Sequence, residues 1–181
     1  DKILKNIIKD IVKPTIKGMS LENKIYEGIL YVGVMITKDG PKLIEYNCRF
    51  GDPEAQVILP LLDTDIIEIM LKSIDKNLKN VTIQLKKKQA ITVVLASKGY
   101  PNEFEKNKIL SNFSSIENDK DIIIFHAGTS LNNKKELIAT GGRVLCVTSI
   151  ADSVKNCRKK AYTAINEINW SEGFYRKDIG K

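Results

Sequence analysis

The 181-residue sequence predicts an α+β fold, antiparallel strands with flanking helices followed by a small β-rich region, on three observations. An amphipathic helical pattern opens the chain. A hairpin signal joins its first two apolar runs, and the second half is mainly strand-like with one closing helix.

Taken in order, apolar residues fall at Ile3, Leu4, Ile7, Ile8, Ile11 and Val12 with lysines opposite. A helix from Ile3 to Ile16 is expected, running until Pro14 or Gly18 disturbs it. Strand-like runs follow over Tyr26 to Thr37 and Lys42 to Cys48, separated by Lys38-Asp39-Gly40-Pro41. The Asp-Gly pair is a hairpin signal, and the nearly continuous apolar stretch Ile29 to Ile36 reads as a strand covered on both faces. Beyond Cys48, helical patterns cover Glu54 to Leu59 and Asp63 to Lys76. The second turns Ile66, Ile67, Met70, Leu71 and Ile74 to one side, and Asp63-Thr64-Asp65 supplies its start.

Asn77 to Lys88 is polar, lysine-rich and without period, which marks a boundary. The expected division is therefore 1–80, a linker over 81–89, and 90–181. In the last region, strands are expected over Ala90 to Ser97, Asp121 to Ala127, Glu136 to Ala139 and Arg143 to Ser149. Turns fall at Lys98-Gly99-Tyr100-Pro101 and Thr140-Gly141-Gly142. A helix over Ala151 to Ile168 buries Val154, Cys157, Ala161, Ile165 and Ile168.

Composition narrows the function classes. Hydrophobic residues at 43% and charged residues at 28% are ordinary globular values, which exclude disorder and low-complexity proteins. Apolar runs such as Ile29 to Ile36, broken only by Gly33, and Ala90 to Ala96, broken only by Thr92, are too short for a bilayer, so no membrane partner is expected. Cys48, Cys146 and Cys157 are odd in number and lack C-x-x-C spacing. Neither a disulfide framework nor a zinc site is expected, and a cytoplasmic setting fits. The net charge of +7 comes from 29 cations, of which only Arg49, Arg143, Arg158 and Arg176 are arginine. Lysines scattered among isoleucines make a solvated surface that suits an anionic small molecule, and no nucleic-acid partner is expected. The chain opens at Asp1 on a helix without a secretory leader, and we expect it to be a piece of a longer polypeptide.

Candidate chemistry concentrates in Leu43-Ile44-Glu45-Tyr46-Asn47-Cys48-Arg49-Phe50-Gly51-Asp52-Pro53-Glu54. Alternation along a strand puts Glu45, Asn47 and Arg49 on one face, about 7 Å apart per step. A carboxylate and an amide oxygen suit magnesium, which takes one or two protein oxygens beside substrate phosphates, and the guanidinium can fork onto phosphate. The plainer reading is a solvent-facing strand with a weak Glu45–Arg49 pair. Asp52 before Pro53 reads as an N-cap, with Glu54 in the helix's first turn; Asp52 and Glu54 could equally hold a substrate. His126, the one histidine, reads as a structural residue at a strand end. Thr140-Gly141-Gly142-Arg143 can offer amides and a guanidinium to a phosphate, or can simply be a turn with a surface arginine. The three cysteines read as small hydrophobes.

Several separated segments carry a resemblance. Tyr26 to Gly33, Asp39 to Lys42, Glu45 to Gln56, Val93 to Pro101, Phe125 to Thr129, Gly141 to Leu145 and Tyr175 to Gly180 resemble, in order, the phosphoribosylamine–glycine ligase (glycinamide ribonucleotide synthetase) family of the ATP-grasp superfamily. The resemblance implies the carboxy-terminal part of an ATP-grasp core followed by the family's small carboxy-terminal domain. It implies an ATP-dependent ligase of purine biosynthesis that joins glycine to 5-phosphoribosylamine through a glycyl phosphate, giving ADP and phosphate. Glu45 and Asn47 fall on the family's Mg²⁺ (or Mn²⁺) ligands, and Arg49 on the arginine beside the transferring phosphate. Asp52, Glu54 and Arg143 become candidate substrate contacts.

The resemblance also implies a missing amino-terminal part of the same polypeptide, with the lysine-bearing lobe and most of the adenine pocket, so the chain alone is expected to be inactive. No carboxylate near Gly33 offers the further metal ligand that superfamily members often place on the neighbouring strand. The alternative is a non-catalytic binding or interaction module that keeps the fold.

Overall fold

A computed structural model describes Lys2 to Lys181 except the side chains of Ser115 and Glu117, and the fold is α+β, as expected. Two compact units emerge, Asp1–Asp52 with Thr64–Ile83, and Pro53–Asp63 with Gln84–Lys181. The chain crosses between them three times, and Pro53–Asp63 joins the second unit although it precedes the lysine-rich boundary.

The first unit begins with α1 (Lys2–Ile7), a π-helical turn (Ile8–Val12) and α2 (Lys13–Leu21), continuous with one another. Neither Pro14 nor Gly18 ends this run. The Lys13 N–H donates to Ile8 O, five residues back, so the ladder is already widened one residue before Pro14. That widening relieves the collision between the proline ring and the preceding turn.

Strands β1 (Tyr31–Thr37) and β2 (Gly40–Asn47) form the antiparallel hairpin the Asp-Gly signal anticipates. Lys38 and Asp39 form its tip, and Gly40 takes φ +95°, where a side chain would be strained. β1 starts at Tyr31 rather than Tyr26 and is not covered on both faces. It pairs only with β2 in a two-stranded sheet, and Met35 and Ile36 are exposed. Helix α3 (Ala55–Leu61) belongs to the second unit, while α4 (Ile66–Ile74) belongs to the first. In α4 the Asp65 carboxylate accepts from Ile67 N at 2.8 Å, a side-chain cap.

The second unit holds the core. Its strands are β3 (Gln89–Ser97), β4 (Lys108–Ile109), β5 (Ile122–His126), β6 (Thr129–Leu131), β7 (Leu137–Ala139), β8 (Arg143–Ala151) and β9 (Gly173–Phe174), with helices α5 (Ser114–Glu117) and α6 (Val154–Glu167). They build an antiparallel four-stranded sheet, β5-β8-β3-β9, and a three-stranded sheet, β4-β7-β6. Side-chain alternation along β8 shows what covers each face. The Gln56 amide of α3 reaches Cys146 Sγ on one face, whereas Ser149 Oγ donates to Cys157 O of α6 on the other. Val93, Leu95, Leu145 and Val147 pack against Cys157, Ala161 and Ile165 of α6. Ser153 caps α6 by accepting from Asn156 N. Val154, expected on the buried side, is exposed, because it occupies the first helical position just past the cap; Ala164 is buried instead.

Candidate functional site

The hairpin creates the one face on which predicted site residues meet. Register runs Tyr31↔Asn47, Val32↔Tyr46 and Gly33↔Glu45, then jumps to Val34↔Leu43, so Ile44 is an extra residue in a β-bulge. A bulge re-aims the side chains beside it. Beyond it, Glu45 lies across from Gly33 and Asn47 across from Tyr31. Asn47 Nδ2 donates to Glu45 Oε1 at 3.1 Å, so both side chains reach the same side of the ribbon. Tyr46, between them, points to the opposite face, where its hydroxyl meets that of Thr15 in α2. The Glu45 carboxylate is exposed and Asn47 is half-buried, so the pair is open to a ligand.

Arg49 is arranged differently. β2 ends at Asn47, Arg49 sits in the bend that follows, and its Nη1 donates to Phe50 O at 2.8 Å. Strand alternation therefore governs Glu45 and Asn47 and stops short of Arg49. Cys48, read from sequence as a small hydrophobe, is exposed in the same bend, because the strand that would have tucked it inward has ended; Cys146 and Cys157 are buried.

Asp52 is not the N-cap of α3. That position belongs to Glu54, whose backbone carbonyl accepts from Val57 N and Ile58 N and whose side chain makes no capping bond. Residues 52–54 form a turn, and proline's fixed φ serves that turn rather than the first helical position. Asp52 closes a stretch of the first unit, while Glu54 and Arg143 belong to the second, Arg143 at the start of β8. The turn before Arg143 commits two of its amides to the turn between β5 and β6, Thr140 N and Gly141 N both donating to Gly128 O. His126 Nδ1 lies 3.0 Å from Thr129 Oγ1, the partner its structural reading requires.

The donor set fits a hard divalent cation in a limited way. Among the described residues no group of three or more His, Cys, Asp or Glu side chains converges. Glu45 and Asn47 offer two oxygens, the number magnesium commonly takes from protein when phosphates and water complete its shell. The 3.1 Å between Glu45 Oε1 and the Asn47 amide terminus is close to the roughly 3 Å edge of an octahedron with about 2.1 Å metal–oxygen distances. An amide presents nitrogen and oxygen in one plane, so that separation serves a hydrogen bond or, with the amide turned, a shared cation.

Sequence reasoning missed Gly33 as the residue directly across the hairpin from Glu45. The signal was present, since a lone glycine inside an apolar strand marks a bulge or a close approach.

A separate cleft of about 660 Å³ lies in the second unit, beside the start of β5 and α6, with Ile116, Ile122 and Ala164 in its lining. Two ion pairs line it, Lys88 with Asp152 and Lys160 with Asp121. Among the described residues no helix is long and apolar enough to cross a membrane.

Residues 90–181 match the family model described as "Phosphoribosylglycinamide synthetase, C domain", and residues 1–55 match "Phosphoribosylglycinamide synthetase, ATP-grasp (A) domain". A phosphoribosylamine–glycine ligase of Brucella melitensis is 42% identical over 173 residues, 96% of this chain and 40% of the relative. The trifunctional purine biosynthetic protein adenosine-3 of Chironomus tentans is 46% identical over 180 residues, 97% of this chain and 13% of that protein. The crystal structure of a phosphoribosylamine–glycine ligase from Thermotoga maritima superposes with a TM-score of 0.81 at 30% identity, over 94% of this chain and 41% of that one. The chain thus spans about two fifths of the length of these two single-function ligases.

Proposed function

The chain belongs to the phosphoribosylglycinamide synthetase family, and from that premise we propose that it carries the metal and phosphate end of an ATP-dependent ligase joining glycine to 5-phosphoribosylamine. The observation that carries this reading is the Glu45–Asn47 pair, an exposed carboxylate and a half-buried amide held to one face of a hairpin. In that role Glu45 and Asn47 hold Mg²⁺ or Mn²⁺. Held by these two side chains, such an ion would supply positive charge to neutralise the phosphate oxygens of ATP.

Arg49, one residue past the strand end, has its guanidinium at a carbonyl of the neighbouring residue, from which it can swing to a phosphate. Its charge offsets what builds up as the glycine carboxylate oxygen bonds to the γ-phosphorus and ADP leaves. The sugar amine then attacks the acyl carbon, loses a proton and expels phosphate. Asp52, Glu54 and Arg143 are proposed substrate contacts, with 1–80 and 90–181 as the functional division and a cytoplasmic setting. Sequence beyond this chain, as in the longer relatives, would complete the adenine pocket and cover the apolar faces that the first unit leaves exposed.

The test is substitution in a complete ligase that contains this sequence. Glu45→Ala and Asn47→Ala should each lower kcat by about 10²- to 10³-fold at saturating Mg²⁺. Near-normal kcat in either variant would remove the residue from the metal site and favour a non-catalytic binding module.

A further inference from the structure

We propose that Gly33 is the positioning residue of the Glu45–Asn47 pair, a notch in β1 whose missing side chain seats the stem of Glu45. The inference rests on the metal-binding reading above. Gly33 is not a residue chosen for backbone freedom, since it is absent from the positive-φ glycines. Its requirement is steric. A Cβ built at Gly33 would lie 3.0 Å from Glu45 Cγ and 3.5 Å from both Glu45 O and Tyr31 Cε1. The first distance is tighter than nine in ten real Cβ contacts, so Glu45 would have to give by a few tenths of an ångström.

The atom that must yield is the methylene carrying the carboxylate. Glu45 stands directly across from Gly33, and the register jump begins at the next pair. The bulge twists the strand locally and re-aims the Glu45 side chain, while the notch lets its stem lie against β1. The carboxylate thereby comes to rest 3.1 Å from the Asn47 amide. Where another protein could place a second acidic ligand on the adjacent strand, this one has a glycine that holds its single carboxylate in register with an amide. Only a side chain shorter than a methyl group fits without moving Glu45.

Strand propensity and metal binding should therefore respond in opposite directions to the same substitutions. Glycine weakens a strand, and alanine and then valine strengthen it. A merely structural Gly33 would make the wild type the poorest of the three by every measure. The experiment uses the full 181-residue chain titrated with MnCl₂ and followed by paramagnetic broadening in ¹H–¹⁵N spectra, for wild type, Gly33→Ala and Gly33→Val.

We expect Mn²⁺ affinity to fall about tenfold in Gly33→Ala, as for other residues that orient a metal ligand, and further in Gly33→Val. The Asn47 side-chain amide resonances should shift as the bond to Glu45 is lost. Amide-exchange protection of the β1–β2 ladder should rise in the same series. Affinity and Asn47 shifts that stay constant, or affinity that rises with ladder protection, overturn the proposal. If valine displaces the Gly33–Glu45 pairing seen in cross-strand contacts, the alanine variant decides alone. If wild-type broadening is not centred on Glu45 and Asn47, the metal reading itself fails, and the Asn47 shift series still decides whether Gly33 seats Glu45.

Discussion

Helices α4 and α6 show the same kind of apolar periodicity and have opposite fates. α6 buries Cys157, Ala161, Ala164 and Ile165 against the four-stranded sheet, whereas α4 buries nothing, and Ile67, Met70, Leu71 and Ile74 on its apolar stripe are all exposed. The contrast extends to the two units. Every residue of the hydrophobic core lies in the second, where Val144, Leu145 and Val147 have no measurable exposure. In the first, Gly51 alone among the described residues is buried. Periodicity states which side of an element needs cover; it does not say whether the same chain provides it.

The largest expected effect breaks the comparison at its strongest point. Leu145→Ala removes a fully buried side chain beneath α6 and should destabilise the second unit by about 3 kcal/mol in urea unfolding. Leu71→Ala, on the exposed stripe of α4, should stay within about 0.5 kcal/mol. Equal losses for the two would mean that α4 is packed in solution.

An intermediate effect sharpens the comparison through the helix caps. Ser153→Ala and Asp65→Ala delete equivalent side-chain caps, each worth about 1 kcal/mol. The first should lower the cooperative unfolding free energy of the second unit. The second should show only as faster amide exchange within α4, because little tertiary packing ties that helix to a cooperative core. A shift of the main transition by Asp65→Ala would contradict this.

The smallest effect is electrostatic. The hydrogen bond from Lys160 holds the Asp121 carboxyl below its ordinary 3.8, with burial opposing, and the same bond raises Lys160. A depressed carboxyl stabilises the fold above its unfolded value, and that contribution disappears as pH falls through the lower folded-state value. Asp121→Asn should therefore flatten the acid limb of stability slightly. Both side chains are at least a third exposed, so high salt should erase most of the difference. An acid limb identical in the two proteins at low salt would show the pair to be inert.

Much of the site was legible before the fold. Glu45 and Asn47 on one face follow from the two-residue period of a strand, and the structure keeps that period across them. Arg49 escaped the same rule because the ladder stops at Asn47, and period two has no force in a bend. Asp52 was misassigned as a cap because Asp-Pro suits a helix start and a turn alike. The short strands Lys108–Ile109, Thr129–Leu131 and Gly173–Phe174 are only two or three residues long, too short to show a period at all.

The sequence by itself determined the longer helical and strand segments, the hairpin turn, the start of α4 and the pairing of an acid with an amide, since each depends on residues within one or two turns of one another. Tertiary structure decided what depends on distant residues: the strand order β5-β8-β3-β9, the transfer of Pro53–Asp63 to the second unit, the exposure of Cys48, and the fit of Glu45 over Gly33. Local rules act through backbone geometry that every residue carries with it. Burial and close approach exist only when remote segments meet, and no period along the chain encodes which ones will.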